Sequence, residues 1–354
     1  MTFDFHLTQT LQNSEGSIVA LAFSKDYRYL GSASKDGQRD GIVRIYNVEV
    51  RYQTIWYHRQ LSQFETINWD NDCSLIMGTA KGELLTFSPQ LRERHGKPDV
   101  VHKFSSPIHS IEFNDCGNEM LTCAGDDINV MKKEGDRWIF QRLFHCVISP
   151  SASHNLQFLP VVVSSAHFLE DQRHSVITFL HHGLWKINLE SGHSQWIVYP
   201  DDQIGATAIA PDCTALMVAN STKGLNLYIL SSDSWKKKTH TYLERAELPI
   251  MSSTHLPVIF IDKGHAAVVG TANGYAVICD SENGGRIQTL RHSSSDSLIS
   301  GLAYHEENLS IATGDVDGNI SIWDLGSPDS KRIRVLGTLV PVAVRYYYSY
   351  EDYS

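Results

Sequence analysis

The sequence has no apolar run near the roughly 20 residues that a membrane-spanning helix needs. Its first ten residues, MTFDFHLTQT, have neither a basic start nor an apolar stretch, so we expect no secretory signal peptide. The longest basic run is Lys236–Lys238, and the formal net charge of the 354 residues is -10. Composition therefore gives no indication of an extended basic surface for nucleic acid or an anionic membrane.

The cysteines form no C-x-x-C pair. Their wide and irregular spacing favours reduced thiols in a cytosolic core over a disulfide framework or a zinc site. The six are Cys73, Cys116, Cys123, Cys146, Cys213 and Cys279.

The spacings of common catalytic and nucleotide-binding motifs are also missing, among them H-E-x-x-H, G-x-S-x-G and the P-loop. The run from Ile311 to Gly326 carries three aspartates. A calcium loop that began at Asp315 would need Gly at its sixth position and Glu at its twelfth, where the sequence has Ile320 and Gly326. We therefore predict no catalytic residue, no metal ligand and no cofactor, and we interpret these aspartates as turn or structural residues.

What the sequence does contain is a repeated unit. Each copy has a short apolar strand, a polar turn, a second strand rich in small residues, a Gly or Asn turn and a third apolar strand. Alignment on the residue that matches Trp323 gives seven copies, at Tyr46, Phe87, Met131, Ile187, Tyr228, Cys279 and Trp323. Four of the six steps fall at about 40 to 45 residues, the length of a four-stranded propeller blade. The two longer steps place insertions within Gly135–Val161 and within Ser231–Leu256.

These repeats predict an all-β, seven-bladed β-propeller of four-stranded antiparallel blades, with six blades plus an irregular segment as the alternative. The segment NISIWDLG, with TGDVDG before it, resembles the end of a WD40 repeat, and GIVRIYN from Gly41 and GLWKINLESG from Gly183 are similar. The resemblance covers about Thr8 to Leu325, although only the last unit keeps the Trp-Asp pair. It implies one propeller over residues 1–340, followed by a Tyr-rich acidic tail at 341–354.

The resemblance also implies a hydrogen-bonded set in which Asp accepts from His, His bonds Ser or Thr, and that hydroxyl reaches the Trp indole N–H. The last unit matches this set with His292, Thr313, Asp317 and Trp323, and the first unit keeps Ser32 and Asp36. In the family the first strand of the chain completes the last blade. This implies that His6–Gln12 pairs beside Asn319–Asp324, an edge for which Arg332–Val340 could compete.

Proteins of this family are mostly non-enzymatic platforms. The resemblance therefore implies a protein-interaction scaffold of the eukaryotic cytoplasm or nucleus, monomeric within a larger complex, that binds other proteins or peptides. Aromatic residues and Arg, which interfaces favour, mark the candidate contacts in the two insertions. They are Trp138, Phe140, Arg142, Phe144 and Trp235. The same segment could instead be an outer strand with Phe140 and Phe144 packed between blades.

Two other functions stay open at this point. One is a propeller enzyme with a metal site in the central channel, which the absence of a repeated inward acid disfavours. The other is a propeller that binds phosphoinositide or nucleic acid through a local basic face, which the overall acidity disfavours. The tail, with five tyrosines in VRYYYSYEDYS, could serve as a docking peptide or a kinase substrate.

Overall fold

The computed structural model describes residues 3–12, 16–36, 40–90, 96–145, 159–198, 204–220, 224–231, 234–238, 256–292 and 296–326. Within these ranges the chain forms seven four-stranded antiparallel sheets, and the first strands of neighbouring sheets contact one another in a closed ring. The predicted seven-bladed propeller is confirmed, and the six-bladed alternative is wrong. The described residues contain no helix that is long and apolar enough to cross a membrane.

The 28 strands follow the chain in order. Blade 1 has β2 (Ser17–Phe23), β3 (Tyr29–Asp36), β4 (Asp40–Asn47) and β5 (Gln53–Gln60), and blade 2 has β6 (Phe64–Trp69), β7 (Leu75–Thr79), β8 (Glu83–Phe87) and β9 (Asp99–Lys103). Blade 3 has β10 (Ile108–Phe113), β11 (Glu119–Ala124), β12 (Asp127–Glu134) and β13 (Arg137–His145), and blade 4 has β14 (Val163–Phe168), β15 (His174–Phe179), β16 (Gly183–Asn188) and β17 (Ser194–Val198). Blade 5 has β18 (Ile204–Ile209), β19 (Ala215–Asn220), β20 (Gly224–Ser231) and β21 (Ser234–Lys238), and blade 6 has β22 (Val258–Ile261), β23 (Ala266–Gly270), β24 (Tyr275–Asp280) and β25 (Arg286–Arg291). Blade 7 combines β26 (Ile299–His305), β27 (Ser310–Asp315) and β28 (Asn319–Leu325) with β1 (Phe5–Gln12) from the start of the chain.

The apolar core is divided into seven layers, one between each pair of neighbouring blades. In the layer between blades 1 and 2, for example, Val43 and Ile45 of β4 meet Leu75 and Met77 of β7. A strand in the middle of a blade therefore buries both of its faces. Strands β7 and β19 are buried at every residue, and β3 is buried over most of its length. Such strands read as short apolar runs without strict alternation.

The seven residues on which the repeats were aligned occupy equivalent places in the structure. Each lies on the third strand of its blade and pairs with a residue near the start of the second strand, as Tyr46 pairs with Leu30 and Trp323 pairs with Ile311. The predicted insertion after Met131 is described in part. Arg137–His145 of the predicted insertion is the outer strand β13, and residues 146–158 lie outside the described residues.

Small residues in the second strands allow neighbouring blades to approach closely. A Cβ atom added to Gly314 would lie 2.6 Å from Cγ2 of Ile18 in the next blade, and one added to Gly78 would lie 2.6 Å from Cγ2 of Ile108. Both distances are far below a normal carbon–carbon contact of about 3.5–4.0 Å. Blade spacing thus depends on Gly at these positions.

Strand β1 closes the ring by pairing along the full length of β28, from Phe5 opposite Leu325 to Gln12 opposite Asn319. The pairing is interrupted at Thr8, where a bulge turns the hydroxyl toward the carboxylate of Asp324, 2.7 Å away. The competing segment Arg332–Val340 and the tail at 341–354 lie outside the described residues.

Asp324 also connects the closing strand to blade 1. Its carboxylate accepts a hydrogen bond from Ser310, whose oxygen lies 2.5 Å from the hydroxyl of Tyr27. The Tyr27 hydroxyl lies 3.3 Å from that of Tyr52. Burial, with the neighbouring Tyr27 and Asp324, raises the pKa of Tyr52, so this phenol stays protonated. The seam between the last and first blades is therefore a polar network set beside an apolar layer.

We predict that Gly314→Ala lowers the free energy of unfolding by about 1–3 kcal/mol, because the new methyl group overlaps Ile18. Chemical denaturation measures this change. In the double variant with Ile18→Ala the cost should be smaller than the sum of the two single costs, because the shortened side chain makes room. Strictly additive costs would contradict the close approach of the two blades.

We further predict that Asp324→Asn loosens the closing strand, because Ser310 and Thr8 lose a charged acceptor. Amide hydrogen exchange in β1 should become faster, while exchange in β15 of blade 4, on the far side of the ring, should not change. Thr8→Val removes one donor only and should have a smaller effect. Unchanged exchange in β1 of the Asp324 variant would show that closure does not depend on this carboxylate.

Candidate functional site

The last blade brings three of the predicted network residues together. The indole N–H of Trp323 donates to the hydroxyl of Thr313 at 3.0 Å, and that hydroxyl lies 2.6 Å from Nδ1 of His292. The other ring nitrogen, Nε2, lies 3.2 Å from a carboxylate oxygen of Asp315. In the neutral imidazole this order places the proton on Nε2, which faces Asp315, while Nδ1 accepts from Thr313.

The carboxylate in this set is Asp315, so the assignment of Asp317 from the sequence is wrong. Asp315 is the last residue of β27 and its side chain is fully buried, whereas Asp317 lies two residues further on in an exposed turn. The turn depends on Asp315 as well, because its Oδ1 accepts from the backbone N–H groups of Asp317 at 3.1 Å and Asn319 at 2.8 Å. One carboxylate thus holds both the hairpin and the imidazole.

The environment of Asp315 favours its charged form. Burial acts to raise its pKa, but hydrogen bonds from His292 and Asn319 outweigh burial and hold the pKa below the usual value of 3.8. The carboxylate therefore contributes stability at neutral pH that is lost only in acid.

The first blade lacks an equivalent set in its described residues. Ser32 and Tyr46 occupy the positions that Thr313 and Trp323 have in the last blade. Burial raises the pKa of Tyr46, and the Ser32 hydroxyl partly offsets this rise. Asp36 lies at the strand end and forms an exposed ion pair with Arg59 at 3.1 Å. The structure therefore does not join Ser32 and Asp36 in one network.

Four of the five predicted contact residues lie on β13, the outer strand of blade 3, but a bulge at Gln141 divides them between two faces. Before the bulge, Trp138 and Phe140 face blade 2. After it, Arg142 and Phe144 face blade 4. Even spacing along the sequence would have placed all four on one face, so the bulge is what the sequence pattern missed.

The pair that faces blade 2 is partly buried. Trp138 is 7% exposed and packs against Phe113 beneath the ammonium of Lys133, which lies 5.4 Å from the ring centre. Phe140 stacks on His102 of the neighbouring outer strand β9, with ring centres 5.5 Å apart, and remains 39% exposed.

The pair that faces blade 4 connects the two blades, and one of its members lines a cavity between them. Arg142 donates to the backbone carbonyls of Leu189 at 3.2 Å and Glu190 at 2.7 Å, which braces blade 3 against blade 4. Phe144 lies beside these residues and lines a cavity of about 190 Å³ between the two blades. The apolar side chains on the opposite wall are Ile177, Phe179, Trp185 and Ile187.

Two residues outside the predicted set complete the surface of β13. Ile139 is 39% exposed and Leu143 is 40% exposed, so with Phe140 the strand carries three of the nine large apolar side chains exposed on the described surface. Among the described residues no backbone hydrogen bond pairs the outer edge of β13 with another strand. The high apolar content of this edge strand was the signal in the sequence that could have indicated Ile139 and Leu143.

The remaining predicted contact, Trp235, lies on β21, the outer strand of blade 5. It is partly buried and packs against the layer between blades 4 and 5, so it does not join β13. Lys236 and Lys237 beside it are exposed.

A second polar group lies on the innermost strands of blades 3 to 5. The His167 ring has Nδ1 at 3.7 Å from Glu112 and Nε2 at 2.9 Å from the Thr207 hydroxyl. This order of carboxylate, imidazole and hydroxyl resembles a hydrolase triad. However, the Thr207 oxygen also lies 2.6 Å from Ser165 and 3.1 Å from Thr178, so the hydroxyl is the shared centre of a bridge between blades.

We predict that Asp315→Asn lowers the free energy of unfolding by about 1–3 kcal/mol at pH 7, and that Asp317→Asn, the matched control, changes it by less than about 0.5 kcal/mol. Because the pKa of Asp315 is depressed on folding, its stabilisation is complete above pH 3.8 and is lost as the pH falls through the lower folded value. Urea titrations from pH 7 to pH 3 should show the difference between wild type and Asp315→Asn shrinking toward the acid end. A constant difference, or an equal cost at Asp317, would contradict the assignment.

The WD domain, G-beta repeat family matches residues 5–47 and 284–324 of the chain. The first match contains β1 to β4 and the second contains β25 to β28, so each runs from the outer strand of one blade through the third strand of the next. A comparison with curated proteins finds no match. The matched segments and the ring together show a seven-bladed β-propeller that carries WD40 repeats.

Proposed function

We propose that this chain is a non-catalytic protein-interaction scaffold that binds partner proteins along the outer edge of β13. WD40 propellers commonly serve as such platforms, and the strands inside each blade are needed for packing. A partner must therefore use turns, loops or the perimeter. As part of the proposal, the propeller acts as a single copy within a larger complex in the cytoplasm or nucleus.

The observation that carries the proposal is the concentration of exposed apolar side chains on β13. The outer strands β1, β5 and β9 each expose one large apolar residue, namely Leu7, Tyr57 and Val100. On β13 there are three within five residues, Ile139, Phe140 and Leu143. Each Å² of apolar surface removed from water contributes about 25 cal/mol, so covering this strand favours association.

The backbone of β13 supports the same use. It is nine residues long, and its outer N–H and C=O groups face away from the sheet. An unpaired edge of this kind is a template for an additional strand, and recognition domains use it to bind extended segments. Here the edge is combined with apolar side chains rather than with the Lys or Pro residues that usually protect an edge.

A photo-crosslinking residue placed at Ile139 tests the proposal in cells that express the full chain. We expect p-benzoylphenylalanine at Ile139 to capture a defined set of proteins that the same residue at Leu61, which is 73% exposed on blade 1, does not capture. Adding Leu143→Glu to the protein that carries the crosslinker at Ile139 should abolish this capture, because it places a charge in the contact.

Identical capture at the two positions, or capture at Ile139 that Leu143→Glu leaves unchanged, would overturn the proposed site. Circular dichroism and thermal unfolding of Leu143→Glu serve as the folding control. Because Leu143 is exposed, we expect its unfolding temperature to match that of the wild type.

A further inference from the structure

Strand β13 has a different cleft at each end. At its start, between blades 2 and 3, lies a polar cleft of about 300 Å³ that Asp136, Arg137 and Trp138 line together with side chains of blade 2. At its end, between blades 3 and 4, lies the apolar cavity of about 190 Å³ beside Phe144. We call the first the acidic cleft and the second the apolar slot. A segment that paired with β13 would reach both.

Among the residues that the structure describes, the lining of the acidic cleft is negative overall. Four carboxylates line it with two cations, and they are Asp70, Asp72, Asp99 and Asp136 with Lys133 and Arg137. Lys133 is already neutralised, because its ammonium lies 2.8 Å from Asp70 and 2.5 Å from Asp72. Asp136 stands exposed at the rim. An incoming cation therefore meets a net negative field.

Trp138 gives a second and independent indication of a ligand. Its side chain is 93% buried and lines the acidic cleft, yet its indole N–H has no acceptor among the described residues. A buried donor without an acceptor is costly, so such groups usually have a hydrogen-bond partner. A peptide carbonyl has the required chemistry.

We infer that the partner segment recognised by β13 is an extended peptide with a basic residue in the acidic cleft and a large apolar residue in the apolar slot. This inference rests on the proposed function and specifies its ligand. The peptide pairs antiparallel to β13, which is the more stable arrangement, so the apolar residue precedes the basic one in its sequence.

The bulge at Gln141 fixes the spacing between these two residues. Trp138 and Phe144 are six residues apart, but the bulged residue has no opposite partner. A regular peptide strand therefore spans the same interval in five steps, roughly 17 Å. Five is odd, so the two side chains project from opposite faces, one toward blade 2 and the other toward blade 4.

Synthetic peptides test the inference with the full-length protein. The probe is fluorescein-labelled Thr-Leu-Thr-Val-Thr-Val-Lys-Thr, with Leu and Lys five positions apart, and fluorescence anisotropy measures its dissociation constant. We expect binding to weaken about tenfold when Glu replaces Lys, when Ala replaces Leu, or when Lys moves by one position to the other face. N-methylation of the residues whose N–H groups face β13 should abolish binding.

Protein variants locate the contact. Asp136→Lys should weaken binding of the Lys peptide about tenfold and strengthen that of the Glu peptide, because the charge at the rim is reversed. Asp126→Lys, at the opposite end of β12 and also exposed, makes the same change in net charge and should have no effect. Trp138→Phe keeps an aromatic ring without the N–H and should weaken both peptides equally.

Outcomes separate the inference from the proposed function. Equal binding of the Lys and Glu peptides, equal effects of Asp136→Lys and Asp126→Lys, or no binding of any peptide would overturn the inferred ligand. If crosslinking at Ile139 still captures proteins in that case, β13 remains the interaction site and only the ligand chemistry is wrong. If neither experiment detects binding at β13, both proposals fail.

Discussion

Every blade of this propeller depends on a neighbour, because each four-stranded sheet has two apolar faces and no helix covers either of them in the described structure. The seven apolar layers between blades are the only large core that the described residues form. A ring satisfies all seven at once, but only if its first and last members meet. The strand β1 is therefore as important as any blade, since it supplies the outer strand against which β28 is paired.

The Trp-Asp pair in β28 serves two different parts of this arrangement. Trp323 faces the apolar layer between blades 6 and 7, and it completes a buried polar chain through Thr313 and His292 to Asp315. Asp324, the next residue, projects to the opposite face, where it meets Thr8 and Ser310 at the seam with blade 1. Because side chains alternate between the two faces of a strand, Trp323 contributes to the network within blade 7 and Asp324 contributes to the closure of the ring.

Sequence periodicity was sufficient for the fold. The third strands carry one alignable residue per blade, and small residues recur where a second strand contacts the next blade, so blade count and strand order follow from spacing and composition. Periodicity was insufficient at Asp315 and Asp317. These residues are two apart, which puts both on the same side of an extended strand, and only the turn after Asp315 directs one inward and leaves the other in water.

The outer strand β13 shows the same limit at a larger scale. Its aromatic residues stand at even intervals, so alternation predicts one continuous face, and a single bulged residue divides that face into two. Bulges do not follow from composition, because they depend on how one strand fits its partner.

Yet the composition of β13 was informative in another way. An edge strand with Ile139, Phe140 and Leu143 exposed invites aggregation, and the partner strand that we propose would cover these side chains. In this proposal the outer edge of β13, the acidic cleft and the apolar slot form one surface. Strand β13 runs between the two clefts and fixes the direction and the length of the segment that would bind there.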